Sequence, residues 1–405
     1  MNSPRPPAGH SAPIPVLFVH TATQPPLGAD TWVQAQIIAH LDKATHEVHV
    51  ACVPGPKDAP TPTFQALVEL RDVNIHAVDF GPERSAGGLR QTLVGSLPAF
   101  SSALRLAKLI RARDVKFVHT TDRPRDALMS VLLAKITRTT SIVHVHVGYG
   151  EWMSHPLKWA LRNADVLVPV SVFVGETLRD SGHRTERIHP VLNGIDLAYW
   201  TPGVGRAEIR KEFAIADDAP VILTACRLFP AKGPGELIKA VGRVVTRHPH
   251  VRLFVVGGEM VGGYRAELES LTKELGLEAN VIFTGRRPDM PRLLAAADVF
   301  AMPSTEEPFG LVFAEAMAMK LPVVALDNGG TPEVVEHDVT GLLSSVGSLE
   351  QLAINLLALI EDPALRTRMG TAGRRRVEAL FTTELQARNM AEVYLRLGSL
   401  RAVAG

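Results

Sequence analysis

Seven residues separate Glu307 from Glu315 in STEEPFGLVFAEAMAMKLPVVALDNGGTPEVVEHDVTGLL, which runs from Ser304 to Leu343. The apolar run Val299–Met302 predicts a strand, Pro303–Pro308 a loop, and Phe309 or Gly310 the start of a helix. Such a loop leaves backbone N–H groups unsatisfied at the strand's carboxyl end, a setting suited to a phosphate. Glu307 then lies in the loop beside the anion. Glu315 lies about a turn and a half into the helix, where it meets another part of the same ligand. Carboxylates are poor partners for phosphate and good acceptors for sugar hydroxyls. A ligand with hydroxyls at both ends and phosphates between them, a nucleotide-sugar, fits both acids. The plainer alternative makes Glu307 a helix-start acid and Glu315 a solvated residue. The neighbours Ala314, Ala316 and Met317 make simple solvation less natural for Glu315.

A diphosphate also calls for cations. CRLFPAKGPGELIKA supplies Arg227 and Lys232 directly after the strand-like run Val221–Ala225 and before a helix at Glu236. Arg grips phosphate bidentately and Lys adds a point charge. Both would stabilise a leaving diphosphate as charge develops on it. Taken alone they would be two surface cations; Gly233 and the acidic stretch downstream favour the functional reading.

The elements that must position these groups are strands alternating with helices. The strand-like runs are Val16–His20, Val48–Val53, Phe117–Thr121, Ile142–Val147 and Val166–Val170 in the first half. In the second half they are Val221–Ala225, Val251–Val256, Val281–Thr284, Val299–Met302 and Val323–Leu326. Continuous Val/Ile/Leu/Phe runs suit strands covered on both faces, and the βαβα order predicts parallel sheets with right-handed crossovers. Ligands bind such sheets at the carboxyl ends of the strands. A chain of 405 residues predicts two domains. The turn-rich NGIDLAYWTPGVG, Asn193–Gly205, marks the boundary, giving domains over 14–196 and 197–381. Residues 1–13, rich in proline, are expected to be a disordered tail. Residues 382–405 are expected to form a helix returning to the N-terminal domain.

Charged residues balance to +1 and aromatic content is 5%, so neither charge nor stacking groups point to nucleic acid. Cys52 and Cys226 stand in no motif, which fits a reducing compartment, each ending a core strand as a small hydrophobe. No apolar run approaches the ~20 residues of a spanning helix. A cytoplasmic location follows as the expectation. Leu97, Phe100, Leu104, Ala107 and Ile110 form a stripe expected to pack on the sheet. Arg105, Lys108, Arg111 and Arg113 lie largely off it, a basic face compatible with peripheral contact at the inner membrane face.

CRLFPAKG, VLNGID and the region from Phe283 to Leu343 resemble the family 4 retaining glycosyltransferases of GT-B fold, whose signature is Glu-x7-Glu. The resemblance covers most of the chain and is most specific from Cys226 to Leu343. It implies an α/β, GT-B architecture: two Rossmann-like, doubly wound parallel-sheet domains facing across a cleft. The N-terminal domain would bind the acceptor and the C-terminal one the donor. It assigns the donor diphosphate to Arg227 and Lys232 and the transferred sugar to Glu307. Backbone at Phe309, Gly310 and Leu311 would help hold sugar and phosphate. Glu315 would bind the ribose, and Gly285 and Arg286 lie where the base-contacting loop follows a strand.

In the first half the resemblance points to Gly28 in PPLGAD, as a close backbone approach to donor phosphate. Ala29 stands where family members often carry a second glycine. His146, at the end of the strand in SIVHVHVGYG, matches the family's histidine near sugar and acceptor. His144 shares its strand face and is read as a hydrogen-bonded core or cleft residue. Asp122 and Arg125 follow another strand and carry no assigned role.

No Asp-x-Asp motif is present. The implied reaction is metal-independent transfer, with retention, from a UDP- or GDP-sugar to an acceptor glycan, lipid or small molecule. No cofactor and no metal are expected. The alternatives are another GT-B enzyme, such as a nucleotide-sugar epimerase, and a non-catalytic binding protein.

Overall fold

The computed structural model describes residues 12–23, 28–80 and 89–404, with side chains from 98 to 399 in the last of these segments. Residues 1–11, which hold most of the expected tail, lie outside the described residues. The chain divides into two compact units, Met1–Val170 with Val174–Val191 and Gln386–Gly405, and Ser171–Phe173 with Leu192–Leu385.

The first unit holds β1 (Ile14–Val19), β2 (His46–Cys52), β3 (Val73–Ala77), β4 (Phe117–Thr121), β5 (Thr140–Val145) and β6 (Val166–Pro169). The second holds β7 (Val221–Ala225), β8 (Arg252–Val256), β9 (Val281–Gly285), β10 (Val299–Met302), β11 (Val323–Leu326) and β12 (Gly341–Ser344). The sheet orders are β3-β2-β1-β4-β5-β6 and β12-β11-β10-β7-β8-β9, with parallel pairing throughout. Each is the doubly wound order, which reverses direction once: between β1 and β4, and between β7 and β10. Loops leaving those two strands diverge to opposite faces, opening a crevice at the carboxyl ends.

Each sheet has six strands where the sequence predicts five. The extra strands are at sheet edges. VNIHA in β3 is partly exposed along its length, with Asn74 and His76 among its apolar residues, and GLLS in β12 has only two large apolar residues. Hydrophobic runs mark strands buried on both faces; an edge strand does not need one.

A second correction concerns the helix Leu89–Ala112. Ala107 and Ile110 are buried, but Phe100 is 65% exposed and Leu104 48%; the side chain of Leu97 lies outside the described residues. Two stripes share Ala107 and Ile110, and the packed one runs through Ser102 and Leu106. Ser102 belongs inside because its hydroxyl accepts from the backbone N–H of Asp79 at 3.0 Å. A buried polar residue is therefore satisfied and apolar neighbours are left in water.

Candidate functional site

In the second unit the loop after β7 carries Arg227 and Lys232, and the loop after β10 carries Glu307. Both therefore emerge at the crevice where strand order reverses. Lys232 ends a short turn of 3-10 helix, and Gly233, with φ +72°, opens the helix Pro234–Val245 rather than Glu236. The two loops are stitched together. Thr305 N donates to Ala231 O at 2.8 Å, and Lys232 Nζ lies 2.8 Å from Glu307 Oε2 and 3.3 Å from Glu306 O. Glu307 is 9% exposed, so the carboxylate is nearly buried and matched by one cation.

Gly233 and the Gly329-Gly330 pair explain how the loops come so close. A Cβ at Gly233 would stand 2.2 Å from Pro303 O, one at Gly329 2.5 Å from Glu307 O, and one at Gly330 2.2 Å from Pro308 O. Gly330 N also donates to Glu307 O at 2.8 Å, fixing the backbone that carries the acid. Gly233→Ala combines a left-handed backbone with a clash against a carbonyl. It is expected to destabilise the fold by about 2 kcal/mol or more, read from the denaturant midpoint.

Gly310, with φ +94°, precedes the helix Leu311–Ala318. No side-chain cap and no first-turn acid occupies that N-terminus. Its backbone donors thus suit an anion. The Phe309 side chain is buried and packs edge-on against Phe381, so only its backbone can serve a ligand. Arg227 is exposed and makes no ion pair among the described residues. Arg286 follows β9, and its side chain lies over Gly258, where a Cβ would meet Nε at 2.2 Å. Gly285 has φ +70° and open space beside it.

Glu315 carries no side-chain hydrogen bond or ion pair among the described residues. Burial pushes its carboxyl up from 4.5 to about 7. Tyr199, missed by sequence reasoning, is 52% exposed and within electrostatic reach of Glu315, and its hydroxyl donates to Pro288 O at 3.3 Å. It adds an aromatic edge to the rim formed by Glu315 and the loop after β9. It sits inside the turn-rich boundary segment, where nothing in the sequence ties it to a strand end.

In the first unit, His146 lies one residue beyond β5 rather than within it. Its backbone N–H donates to Asp122 Oδ2 at 2.8 Å. Burial pushes the Asp122 carboxyl up to about 7 and the His146 imidazole down to about 4. His144 is buried and its ring stacks on His146, with centroids 4.6 Å apart. Among the described residues neither ring nitrogen of His144 has a hydrogen-bond partner, which corrects the expectation of a hydrogen-bonded residue. Arg125 donates to Thr21 O at 3.0 Å, and Arg123 Nε meets Asp30 Oδ2 at 2.6 Å. Gly28 caps the helix Ala29–His40, and a Cβ there would meet Asp30 Oδ1 at 2.3 Å.

The structure therefore brings Lys232 and Glu307 into contact, with Arg227, Gly285, Arg286, Phe309, Gly310, Leu311 and Glu315 in the same unit. His146 and Gly28 belong to the other unit. Among the described residues no three His, Cys, Asp or Glu side chains gather as metal ligands. Cys52 ends β2 and is buried. Cys226 lies just past β7 and is half-buried rather than in the core, and burial pushes both thiols up, to about 12 and about 11.

Residues 205–376 match the family described as glycosyl transferases group 1, and residues 30–194 match the glycosyl transferase 4-like domain. A GDP-mannose-dependent monoacylated alpha-(1-6)-phosphatidylinositol monomannoside mannosyltransferase of Corynebacterium glutamicum is 32% identical over 313 residues, 73% of this chain and 81% of that one. The chain belongs to the family 4-type glycosyltransferases. A D-inositol 3-phosphate glycosyltransferase of Corynebacterium efficiens is 37% identical to this glycosyltransferase over 219 residues, 51% of each chain. The crystal structure of Anabaena HepE in complex with UDP superposes with a TM-score of 0.79 at 24% identity, covering 95% of this chain and all of that one. That likeness establishes the GT-B fold. Among the described residues of the glycosyltransferase, no helix is long and apolar enough to cross a membrane.

Glu315 gives the glycosyltransferase a pH signature. Its folded carboxyl titrates near 7, above the ordinary 4.5, so between those values the native state holds a proton that the unfolded chain has released. The contribution of this group to stability should therefore fall as pH rises through that window, while buried histidines such as His146 act in the opposite sense, so the fall shows as the difference between the native enzyme and Glu315→Gln. If Glu315 binds the ribose, as the resemblance implies, its carboxylate would work best ionised, and nucleotide affinity should rise more steeply over the same window in the native enzyme than in the variant. Thermal melts and nucleotide titrations across the window measure both slopes. Equal slopes in the native enzyme and the variant would contradict the assignment.

Proposed function

We propose that this glycosyltransferase moves a sugar from a UDP- or GDP-linked donor to an acceptor hydroxyl, with retention at the anomeric carbon and without a metal. The observation that carries this reading is the Lys232–Glu307 pair, 2.8 Å apart, at the strand-order reversal between β7 and β10. Beside it stand the uncapped N-terminus at Leu311 and the exposed Arg227. Arg227 and Lys232 receive the diphosphate, and N–H groups at Gly310 and Leu311 add neutral donors. Glu307 accepts from hydroxyls of the transferred sugar, Glu315 holds the ribose, and Gly285 and Arg286 border the base. Gly28 is assigned to donor phosphate and His146 to the sugar and acceptor.

In the reaction the bond from the anomeric carbon to the diphosphate oxygen breaks, leaving its electron pair on that oxygen, and a bond to the acceptor oxygen forms as that hydroxyl gives up its proton to the departing diphosphate or to water. Negative charge grows on the departing diphosphate, and Arg227 and Lys232 stabilise it most when it is fully developed. These two cations do the work a metal would otherwise do. The acceptor is a glycan, lipid or small molecule. GDP-mannose is the first donor to try, because the relative matched over most of the chain is named for it. A lipid acceptor would bring a cytoplasmic enzyme to the inner membrane face.

Thermal stability against a panel of UDP-, GDP-, ADP- and dTDP-sugars, with a chelator present, tests the reading. A donor at ~100 times its dissociation constant should stabilise by about 2.7 kcal/mol. One nucleotide class should act, and the anomeric proton coupling of the transferred sugar should match the donor's. Stabilisation by none of the four classes, or an inverted product, would overturn the reading.

A further inference from the structure

The first unit carries an apolar face that its own core does not use. On the helix Pro124–Thr137, Ala127, Val131 and Ala134 are buried, while Leu128, Leu132 and Ile136 recur every fourth residue on the outward side. Leu132 is 36% exposed and Ile136 65%. The helix His155–Asn163 packs beside it and presents Trp159, 37% exposed. Between the two lies a shallow groove of about 610 Å³, lined by Leu128, Leu132, Pro156 and Trp159, with Lys158 and Arg162 among its walls. On the other side the helix Leu89–Ala112 adds Phe100 and Leu104, and Arg111 Nη2 lies 3.4 Å from Ile136 O, joining the two surfaces.

Charge is distributed unevenly over the same helices. They contain eight Lys and Arg residues and one acid, Asp126. Asp126 is buried and accepts from Thr21 N at 2.7 Å, so it does not offset the surface charge. The chain as a whole carries a net charge of only +1. Lys158 is paired with Glu151 at 2.7 Å, and Glu151 also lies within electrostatic reach of Arg162. Exposed Lys108, Arg111 and Lys135 stand beside apolar side chains and make no ion pair among the described residues.

We propose that this face docks on the surface of an anionic lipid bilayer. Leu132, Ile136, Phe100 and Trp159 would enter the boundary between headgroups and acyl chains, while the lysines and arginines extend along them to the lipid phosphates. An indole suits that depth because its ring is apolar and its N–H is polar. Long cationic side chains suit it because their stems lie on apolar surface while their heads stay in water. A bilayer fits both halves of the pattern, since anionic headgroups sit directly above hydrocarbon. The donor site lies in the other unit, so the proposal stands independently of the proposed donor chemistry.

The test is co-sedimentation of the full chain with vesicles of phosphatidylcholine alone and of phosphatidylcholine with phosphatidylglycerol. Three proteins are compared: the native chain, Lys108→Glu/Arg111→Glu and Leu132→Ser/Ile136→Ser. All four positions are exposed, and unfolding midpoints check that the variants fold. The native chain should bind the anionic vesicles, not the neutral ones, and lose binding as salt rises. Each variant should bind at least ~10-fold more weakly. Trp159 emission should shift to the blue on binding, a change absent in Trp159→Phe. Failure of the native chain to bind anionic vesicles would overturn the proposal, as would undiminished binding by both variants. Self-association in solution, abolished by Leu132→Ser/Ile136→Ser, would assign the face to a second copy instead.

Discussion

Lys232→Ala should lower kcat by about 10²–10³-fold, the usual effect of removing one preorganised charge from a site where negative charge develops. The substitution also harms the free protein. Glu307 loses the cation it pairs with among the described residues while it stays nearly buried, and an unsatisfied buried group costs about 1–3 kcal/mol. The two effects separate in the double variant Lys232→Met/Glu307→Gln, which removes both charges and keeps side-chain volume. Its unfolding midpoint should recover towards that of the native enzyme, because neither partner is left charged and alone. Its turnover should stay low, because nothing replaces the cation on the diphosphate. Steady-state kinetics and denaturant unfolding on the same three proteins decide this. Recovery of turnover with stability would mean that Lys232 matters only as the partner of Glu307.

Glu307→Gln should lower turnover by about 10²-fold, yet leave the binding of free nucleoside diphosphate unchanged or tighter. The sign follows from geometry. Glu307 holds Lys232 at 2.8 Å, so neutralising the acid releases the ammonium group to the phosphates. Glutamine fills the same space, and the loop is retained by the 2.8 Å bond from Gly330 N to Glu307 O, which does not involve the side chain. What is lost is a charged acceptor for sugar hydroxyls, and charge-assisted hydrogen bonds are roughly twice as strong as neutral ones. Calorimetric titration with the diphosphate and kinetics with the full donor separate these terms. Equal losses in both would place Glu307 on the diphosphate rather than the sugar.

The sequence made the second unit more legible than the first. Arg227, Lys232 and Glu307 follow strands that are continuous apolar runs, and the turn residues around them are unambiguous, so their meeting at the strand ends could be anticipated. The doubly wound order was implicit in the alternation, but β3 and β12 were not visible, because edge strands carry no unbroken apolar signature. The outward-facing Phe100 and Leu104 could not be read from periodicity. Two stripes on one helix share Ala107 and Ile110, and contacts with residues distant in sequence, Leu106 in the core cluster and the bond from Asp79 N to Ser102 Oγ, choose between them. Tyr199 escaped for a similar reason: its nearness to Glu315 comes from the fold of a loop. Gly329-Gly330 is plain to see in the sequence, but only the approach to the backbone of Glu307 and Pro308 explains the pair.

The crevice between β7 and β10 is expected to receive a nucleoside diphosphate through its cations. Arg227 offers the cleanest test, since it is exposed and pairs with no acid among the described residues; its loss should leave the unfolding midpoint unchanged. The measurement is the affinity of UDP and GDP for the native enzyme and for Arg227→Ala, by calorimetric titration with a chelator present. At least one nucleotide should bind the native enzyme and bind Arg227→Ala about 10-fold or more weakly, as expected for a lost charged phosphate contact. Equal affinity in the two proteins would contradict the claim and move the diphosphate elsewhere.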